Sequence, residues 1–216
     1  MSTHNIRTAR RQRRRQRQLW TFLLALLDTR LPIGECRLLS QSQRREIKTL
    51  LRPGDVLLES NSAYPIWQLF SRLIVGSEWM HAAMYVGDGM VIDAGTEPKV
   101  ARVPIDDFLN TTDIVIYRPD FAGPEDVAAA ITFVEKQLGM PFNVGFEEND
   151  KKSFYCTQLV SRALFDMPHP IVLSMSRIFW KTVVTPTAIT SSAQIKLIWA
   201  SRTRERVLLP ESFARG

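Results

Sequence analysis

Cysteine and histidine are the side chains best suited to nucleophilic attack and proton transfer near neutral pH, and this sequence has few of either. There are two cysteines, Cys36 and Cys156, and three histidines, His4, His81 and His169. Two cysteines do not make a disulfide framework in a chain of 216 residues. With no Cys-x-x-Cys pair and the histidines scattered, no zinc-ligand spacing is present either. The cysteines differ in context. Cys36 follows a stretch containing Pro32 and Gly34, whereas Cys156 opens an apolar-periodic segment, Ser153-Phe154-Tyr155-Cys156-Thr157-Gln158-Leu159-Val160. Leu159, Val160, Ala163 and Leu164 mark the buried face of a helix expected over Ser153 to Phe165, with Cys156 in its first turn. Free backbone N–H groups and the helix dipole there favour a thiolate, and the same N–H groups can hold the oxyanion of a tetrahedral intermediate. A small buried core residue, as most free cysteines are, is the competing reading.

A cysteine nucleophile needs a base. His4 lies among arginines near the N-terminus and His169 between two prolines, so His81, at the head of the strand-like run His81-Ala82-Ala83-Met84-Tyr85-Val86, is the better placed, with His169 as the fallback. Asp93, in Met90-Val91-Ile92-Asp93-Ala94, sits on the strand that would pair with the His81 strand across Gly87-Asp88-Gly89. A tight hairpin there brings Asp93 and His81 to the same end of the ladder. An acid so placed can fix the imidazole tautomer, though it can equally bond a local turn. Asp55, in Pro53-Gly54-Asp55, reads as structural, its carboxylate accepting from turn amides. Glu147, Glu148, Asp150, Lys151 and Lys152 read as a solvated loop beside the cysteine helix, placed to rim a cleft.

These residues need a scaffold, and the hydrophobic pattern supplies one. A short helix is expected from Gln41 to Leu51, capped by Ser40 or Ser42, and Val56 to Leu58 reads as a buried strand. Ile66 to Val75 has helical spacing. Short strands follow at His81 to Val86, Met90 to Ala94, Val100 to Val103 and Ile114 to Tyr117, with a helical turn within Pro104 to Leu109. Pro124 to Leu138 is an amphipathic helix with Val127, Ile131, Val134 and Leu138 on one face, stopped by Gly139-Met140-Pro141. Ile195 to Trp199 is a last strand-like run. Antiparallel strands beside a few helices define an α+β fold.

The formal net charge of +6 belongs to one end. Residues 1–18 hold seven arginines and no acid, and the remaining 21 basic residues face 22 acidic ones. A basic, polar arm of this kind is expected to be disordered in isolation. A nucleic-acid-binding body would carry positive charge on its folded part, so no nucleic-acid partner is expected. Leu19 to Leu27 is apolar but far short of the ~20 residues needed to span a bilayer. It has three readings: a signal-peptide core, a helix lying on an anionic inner leaflet with the arm as its electrostatic tether, or a first helix packed on the domain. No small-x-small cleavage site follows it, which favours a cytoplasmic or inner-membrane peripheral location over export. The organisation expected is a basic arm over 1–18, a helical extension over 19–50, a main domain over 51–200 and a tail over 201–216.

Five segments in order carry a resemblance: Pro53-Gly54-Asp55-Val56-Leu57-Leu58; Trp79-Met80-His81-Ala82-Ala83-Met84-Tyr85-Val86-Gly87-Asp88-Gly89; Val91-Ile92-Asp93-Ala94; Gly139-Met140-Pro141-Phe142; and Phe154-Tyr155-Cys156-Thr157-Gln158-Leu159-Val160. Together they resemble the circularly permuted papain-like cysteine hydrolases, and more narrowly the YiiX/YebB-like branch of the NlpC-type superfamily. In ordinary papain-like enzymes the cysteine precedes the histidine; here it follows by 75 residues. The resemblance implies a small antiparallel sheet or half-barrel against helices, with the cysteine at a helix N-terminus. It assigns Cys156 as nucleophile, His81 as base and Asp93 as the polar third member, and implies no metal or organic cofactor. This sequence has Asp93 where the family often has Glu, and Gln158 where it often has an acid. The substrates implied are peptides or other amides, including cell-wall peptides. Acyl lipids or thioesters at a membrane surface are the alternative, and a non-catalytic, membrane-associated binding module is a third reading.

Overall fold

The computed structural model of the protein describes residues 37–202. The arginine arm, the apolar stretch Leu19–Leu27, His4 and Cys36 lie outside the described residues, as does the tail from residue 203.

Helix α1 (Gln41–Leu50) begins at Ser40, whose side chain accepts from the Gln43 amide at 3.2 Å while the Gln43 side chain accepts from the Ser40 amide at 2.9 Å. This reciprocal cap satisfies amides that the first turn leaves without helical partners. Pro53 and Gly54 then turn the chain into strand β1 (Val56–Ser60). Gly54 has φ +91°, and a Cβ there would come within 2.7 Å of the Phe121 ring, so the position needs glycine twice over. Helix α2 (Pro65–Phe70) runs into a π-helical turn, Ser71–Val75, that closes on left-handed Gly76.

Strands β2 (His81–Gly87) and β3 (Met90–Ala94) form the expected hairpin. Asp88 (φ 52°) and Gly89 (φ 69°) supply the positive φ values that a twisted two-residue turn requires. Strand β4 (Val100–Pro104), helix α3 (Ile105–Phe108), strand β5 (Asp113–Pro119) and helix α4 (Pro124–Lys136) follow. Next come helix α5 (Cys156–Phe165), a small hairpin of β6 (Ser176–Ile178) and β7 (Lys181–Val183), helix α6 (Pro186–Thr190) and strand β8 (Ile195–Ala200). The main sheet has six strands in the order β4-β3-β2-β1-β5-β8, every neighbouring pair antiparallel.

Period-two alternation divides the strand residues between two apolar layers. Val56, Leu58, Ala82, Met84, Ile92 and Val115 pack with Ala130 and Val134 of α4 and Leu159, Val160, Ala163 and Leu164 of α5. Leu57, Ala83, Val91, Ile114 and Ile116 pack with Ile47 of α1 and with Ile105 and Phe108 of α3. The fold is thus α+β, as the sequence pattern indicates.

Three details depart from the sequence reading. Helix α4 turns Asp126, Ala130 and Val134 inward, while Leu138 lies past its end and is 42 % exposed. Residues Ser153 to Tyr155 are extended, so the cysteine helix begins at Cys156 itself. The hairpin Ser176–Val183 is an addition, its turn occupied by Phe179 and Trp180 where Gly, Asn or Asp would be usual.

Candidate active site

Strand pairing places the histidine. Glu59 and His81 are register partners between β1 and β2, and Ala83 pairs with Asp93 between β2 and β3. His81 and Asp93 therefore lie on one face near one end of the sheet. Their side chains meet: His81 Nε2 and Asp93 Oδ2 are 2.7 Å apart, with His81 14 % exposed and Asp93 fully buried. The short aspartate side chain reaches the ring directly. Thr96 donates its hydroxyl to the same Oδ2. Asp93 Oδ1 is buried with no hydrogen-bond partner among the described residues, so the imidazole is this carboxylate's main compensation.

The ring is confined on its other sides. Gly95 has φ +142°, and a Cβ there would lie 3.0 Å from His81 Cε1 and 3.4 Å from Nδ1, with the Phe142 ring 3.5 Å away. The Phe108 ring centroid is 6.0 Å from that of His81. Phe142 is held by backbone pairing: its N–H donates to Pro98 O at 3.0 Å, and the neighbouring Met140 O accepts from Val100 N–H at 2.7 Å. The Gly-Met-Pro-Phe segment is thereby stitched to the entry of β4, beside the histidine.

Cys156 comes from the opposite side. It is half-buried, at the first residue of α5, and its thiol lies close enough to His81 to favour the charged form of the ring. Nε2 is committed to Asp93, which leaves Nδ1 for the sulfur. The α-helical pattern leaves the first amides of α5, those of Cys156 and Thr157 among them, without intrahelical acceptors at the end of the helix that carries the thiol. Burial works against a charged imidazole here. The Asp93 charge, the Asp93 hydrogen bond and the contact with Cys156 together overcome it, and His81 holds its proton well above the ordinary histidine value of 6.5.

The start of α5 is anchored on both sides of the cysteine. Thr157 Oγ1 donates to Val184 O at 2.7 Å, and Val184 N–H donates to the Tyr155 hydroxyl at 3.0 Å. That hydroxyl donates in turn to Glu148, and burial, then Glu148, raises the phenol's proton affinity further. Gln158 uses both ends of its side-chain amide. Its Oε1 accepts from the Tyr155 amide at 3.2 Å, and its Nε2 donates to the carbonyls of Glu147, Glu148 and Asp150 at 3.3, 2.9 and 3.3 Å. A carboxylate cannot make those donations. The loop read as solvated is thus tied down, and the Glu148 side chain is only 9 % exposed.

The other candidates fall elsewhere. His169 bonds Asp126 on α4 through its ring at 3.2 Å and through its backbone N–H at 3.1 Å, and its side chain is 62 % exposed. Burial of Asp126 is outweighed by those bonds and the Ala122 amide, which hold its carboxyl below the usual range. Asp55 is a structural anchor: Oδ2 accepts from the Arg52 amide at 2.8 Å, and Arg118 bonds both oxygens at 2.7 Å. Sequence reading missed Arg118, Thr96, Gly95 and Glu59. Gly95 and Thr96 sit just past the Asp93 strand, and their proximity in sequence was the available signal. Glu59 lies opposite His81 in the register; burial raises its proton affinity, and His81 and Thr111 pull against that.

A six-stranded antiparallel sheet carrying a histidine, with a cysteine at the start of a helix later in the chain, is the architecture of a permuted papain-like cysteine hydrolase. The chain belongs to the permuted papain-like amidase family, YaeF/YiiX, C92, whose model matches residues 50–215. Among solved structures it is similar to YiiX from Escherichia coli O157:H7, described as a metalloprotein, with a TM-score of 0.59 and 16 % identity over 68 % of this chain and 96 % of that one. At that identity the likeness bears on the fold. Comparison with curated protein sequences gives no match. Among the described residues, no three His, Cys, Asp or Glu side chains gather into a group that could hold a metal.

Proposed function

We propose that Cys156 is the nucleophile, His81 the general base and acid, and Asp93 the orienting carboxylate of an amide hydrolysis acting on cell-wall peptides. The observation that supports these roles is a single imidazole bracketed by a buried carboxylate at 2.7 Å and a helix-start thiol. In the first step the Cys156 sulfur attacks the substrate carbonyl carbon and a C–S bond forms. The carbonyl electrons move onto oxygen, where the amides of Cys156 and Thr157 receive them. As the tetrahedral adduct collapses, the C–N bond breaks and the departing nitrogen takes the proton from His81 Nδ1. Water then attacks the thioester and gives a proton to His81. The C–S bond breaks, the acid is released, and the sulfur recovers its starting state. Throughout, Asp93 keeps the ring from flipping and stabilises its cationic form.

The amide preference follows the family's amidase character, and the NlpC-type resemblance supports peptide substrates from the cell wall. Purified protein incubated separately with wall-derived peptides, fatty-acyl esters and fatty-acyl thioesters tests the assignment, with Cys156→Ser as the blank. Peptide amide cleavage is expected to fall at least about 10³-fold in the variant. Ester or thioester cleavage without amide cleavage would overturn the substrate in favour of a lipid acyl hydrolase. Wild-type protein inert toward all three classes would favour a binding module.

A further inference from the structure

The hairpin Ser176–Val183 has an unusual tip. Phe179 and Trp180 form its turn, 60 % and 72 % exposed, with ring centroids 5.8 Å apart. Phe179 sits at φ +54°, a left-handed position that disfavours a large L side chain, so the tip is strained to hold its aromatics outward. Exposed Val172 (67 %) and Met175 (57 %) precede it. An aromatic pair in water at a strained turn does nothing for the core, and aromatic rings of this kind settle at the boundary between hydrocarbon and water.

Charge points the same way. From Met167 to Arg202 there is no aspartate or glutamate, while Arg177 and Lys181 flank the aromatic tip. Arg177 is exposed, its Nε donating to Phe179 O at 3.3 Å; Lys181 is half-buried and donates to Gly145 O. A second element with exposed apolar side chains is joined to the same acid-free stretch of chain at Thr187. Leu69 (58 %) and Leu73 (71 %) are exposed on α2 and its π-helical turn, with Arg72 between them and no acid from Ser60 to Ser77. Thr187 Oγ1 donates to Gly76 O at 3.0 Å, joining the two. Residues 1–18 add seven arginines and no acid to the same chain.

We propose that the Phe179–Trp180 hairpin is an interfacial anchor that seats the protein on an anionic phospholipid bilayer. Apolar side chains enter the boundary and exposed Arg177 meets lipid phosphate, the pairing that makes interfacial segments hold. The strand leaving the hairpin reaches Val184, which bonds the residues on either side of Cys156. The anchor therefore brings the cysteine to the membrane surface. This goes beyond the amidase reading and does not depend on it.

The test is sedimentation of the full-length protein with vesicles of phosphatidylcholine alone and of phosphatidylcholine with phosphatidylglycerol. Binding to the anionic vesicles is expected, falling roughly tenfold or more when Phe179→Ser and Trp180→Ser are combined. The alkylation rate of Cys156 and the circular dichroism should be unchanged, which separates this result from loss of fold or site. A second readout is fluorescence on vesicles with brominated acyl chains: wild-type emission is quenched, and Trp180→Phe, still bound, loses most of that quenching. Equal binding by the double variant would assign the membrane contact to the arginine arm and overturn the proposal. Quenching unchanged in Trp180→Phe would do the same, as would failure of the wild type to bind. A lipid-free dimer that the double variant abolishes would make the tip a contact between copies of the chain instead.

Discussion

At the scale of single residues, the site turns on one imidazole that bonds a buried carboxylate and lies near a thiol. Asp93 Oδ1 has no other partner among the described residues, so exchanging Asp93 for Asn removes the charge that keeps His81 protonated while keeping much of the shape. Asp93→Asn is expected to lower kcat by about 10² to 10⁴ with a much smaller change in KM, read from steady-state hydrolysis. The same pair links stability to pH. His81 binds its proton more tightly folded than unfolded, so its contribution is fully present below the unfolded value near 6.5 and is lost as pH rises through the higher folded value. Urea unfolding from about pH 6 to about pH 9 should show wild type losing stability relative to Asp93→Asn. A parallel pair of curves would contradict the linkage. The cysteine and histidine were legible as residue types with few competitors. Thr96 was not, because a threonine after a strand has many uses and only the fold shows that this one reaches Asp93.

At the scale of elements, what matters is how closely loops approach the ring. A Cβ on Gly95 would stand 3.0 Å from His81 Cε1, and the positive φ adds strain. Gly95→Ala should displace the imidazole and cost about 10²-fold in kcat/KM with the protein still folded, because small misplacements of a catalytic group are expensive. Activity close to wild type would mean that the ring tolerates movement. Gln158→Glu sets an acceptor against three carbonyls and is expected to destabilise the protein by about 2–4 kcal/mol in urea unfolding. The strands were legible from alternation and the β2–β3 turn from its Gly-Asp-Gly. The sequence pattern starts α5 three residues early, because Phe154 and Tyr155 continue the apolar run while the backbone before Cys156 is not yet helical. The β6–β7 hairpin was illegible because its turn breaks turn chemistry: no Gly, Asn or Asp marks it, and a Phe takes the left-handed position.

At the scale of the whole molecule, a sheet with helices on both faces must hold its first strand in register while the cysteine helix arrives much later in the chain. Asp55 and Arg118 fix that register where β1 meets β5, with Asp55 almost fully buried and Arg118 23 % exposed. Asp55→Ala leaves the guanidinium with only the Leu50 carbonyl and no carboxylate, and the Arg52 amide without its acceptor, and should cost about 2–4 kcal/mol of stability while the folded fraction keeps its specific activity. Loss of specific activity without loss of stability would place Asp55 in the chemistry. The order of segments made the permuted topology readable, since each hydrophobic run fell in sequence as a strand or helix. Arg118 was invisible because nothing local links it to a turn 63 residues earlier.

The measurement closest to the central claim is the pH dependence of Cys156 alkylation by iodoacetamide, read site by site by mass spectrometry. With the sulfur paired to a protonated His81 at a helix start, Cys156 in the wild type should react far faster than free cysteine at about pH 6. In His81→Gln that advantage should disappear. Wild-type Cys156 reacting at the rate of free cysteine, with the His81→Gln profile superimposed on it, would contradict the account.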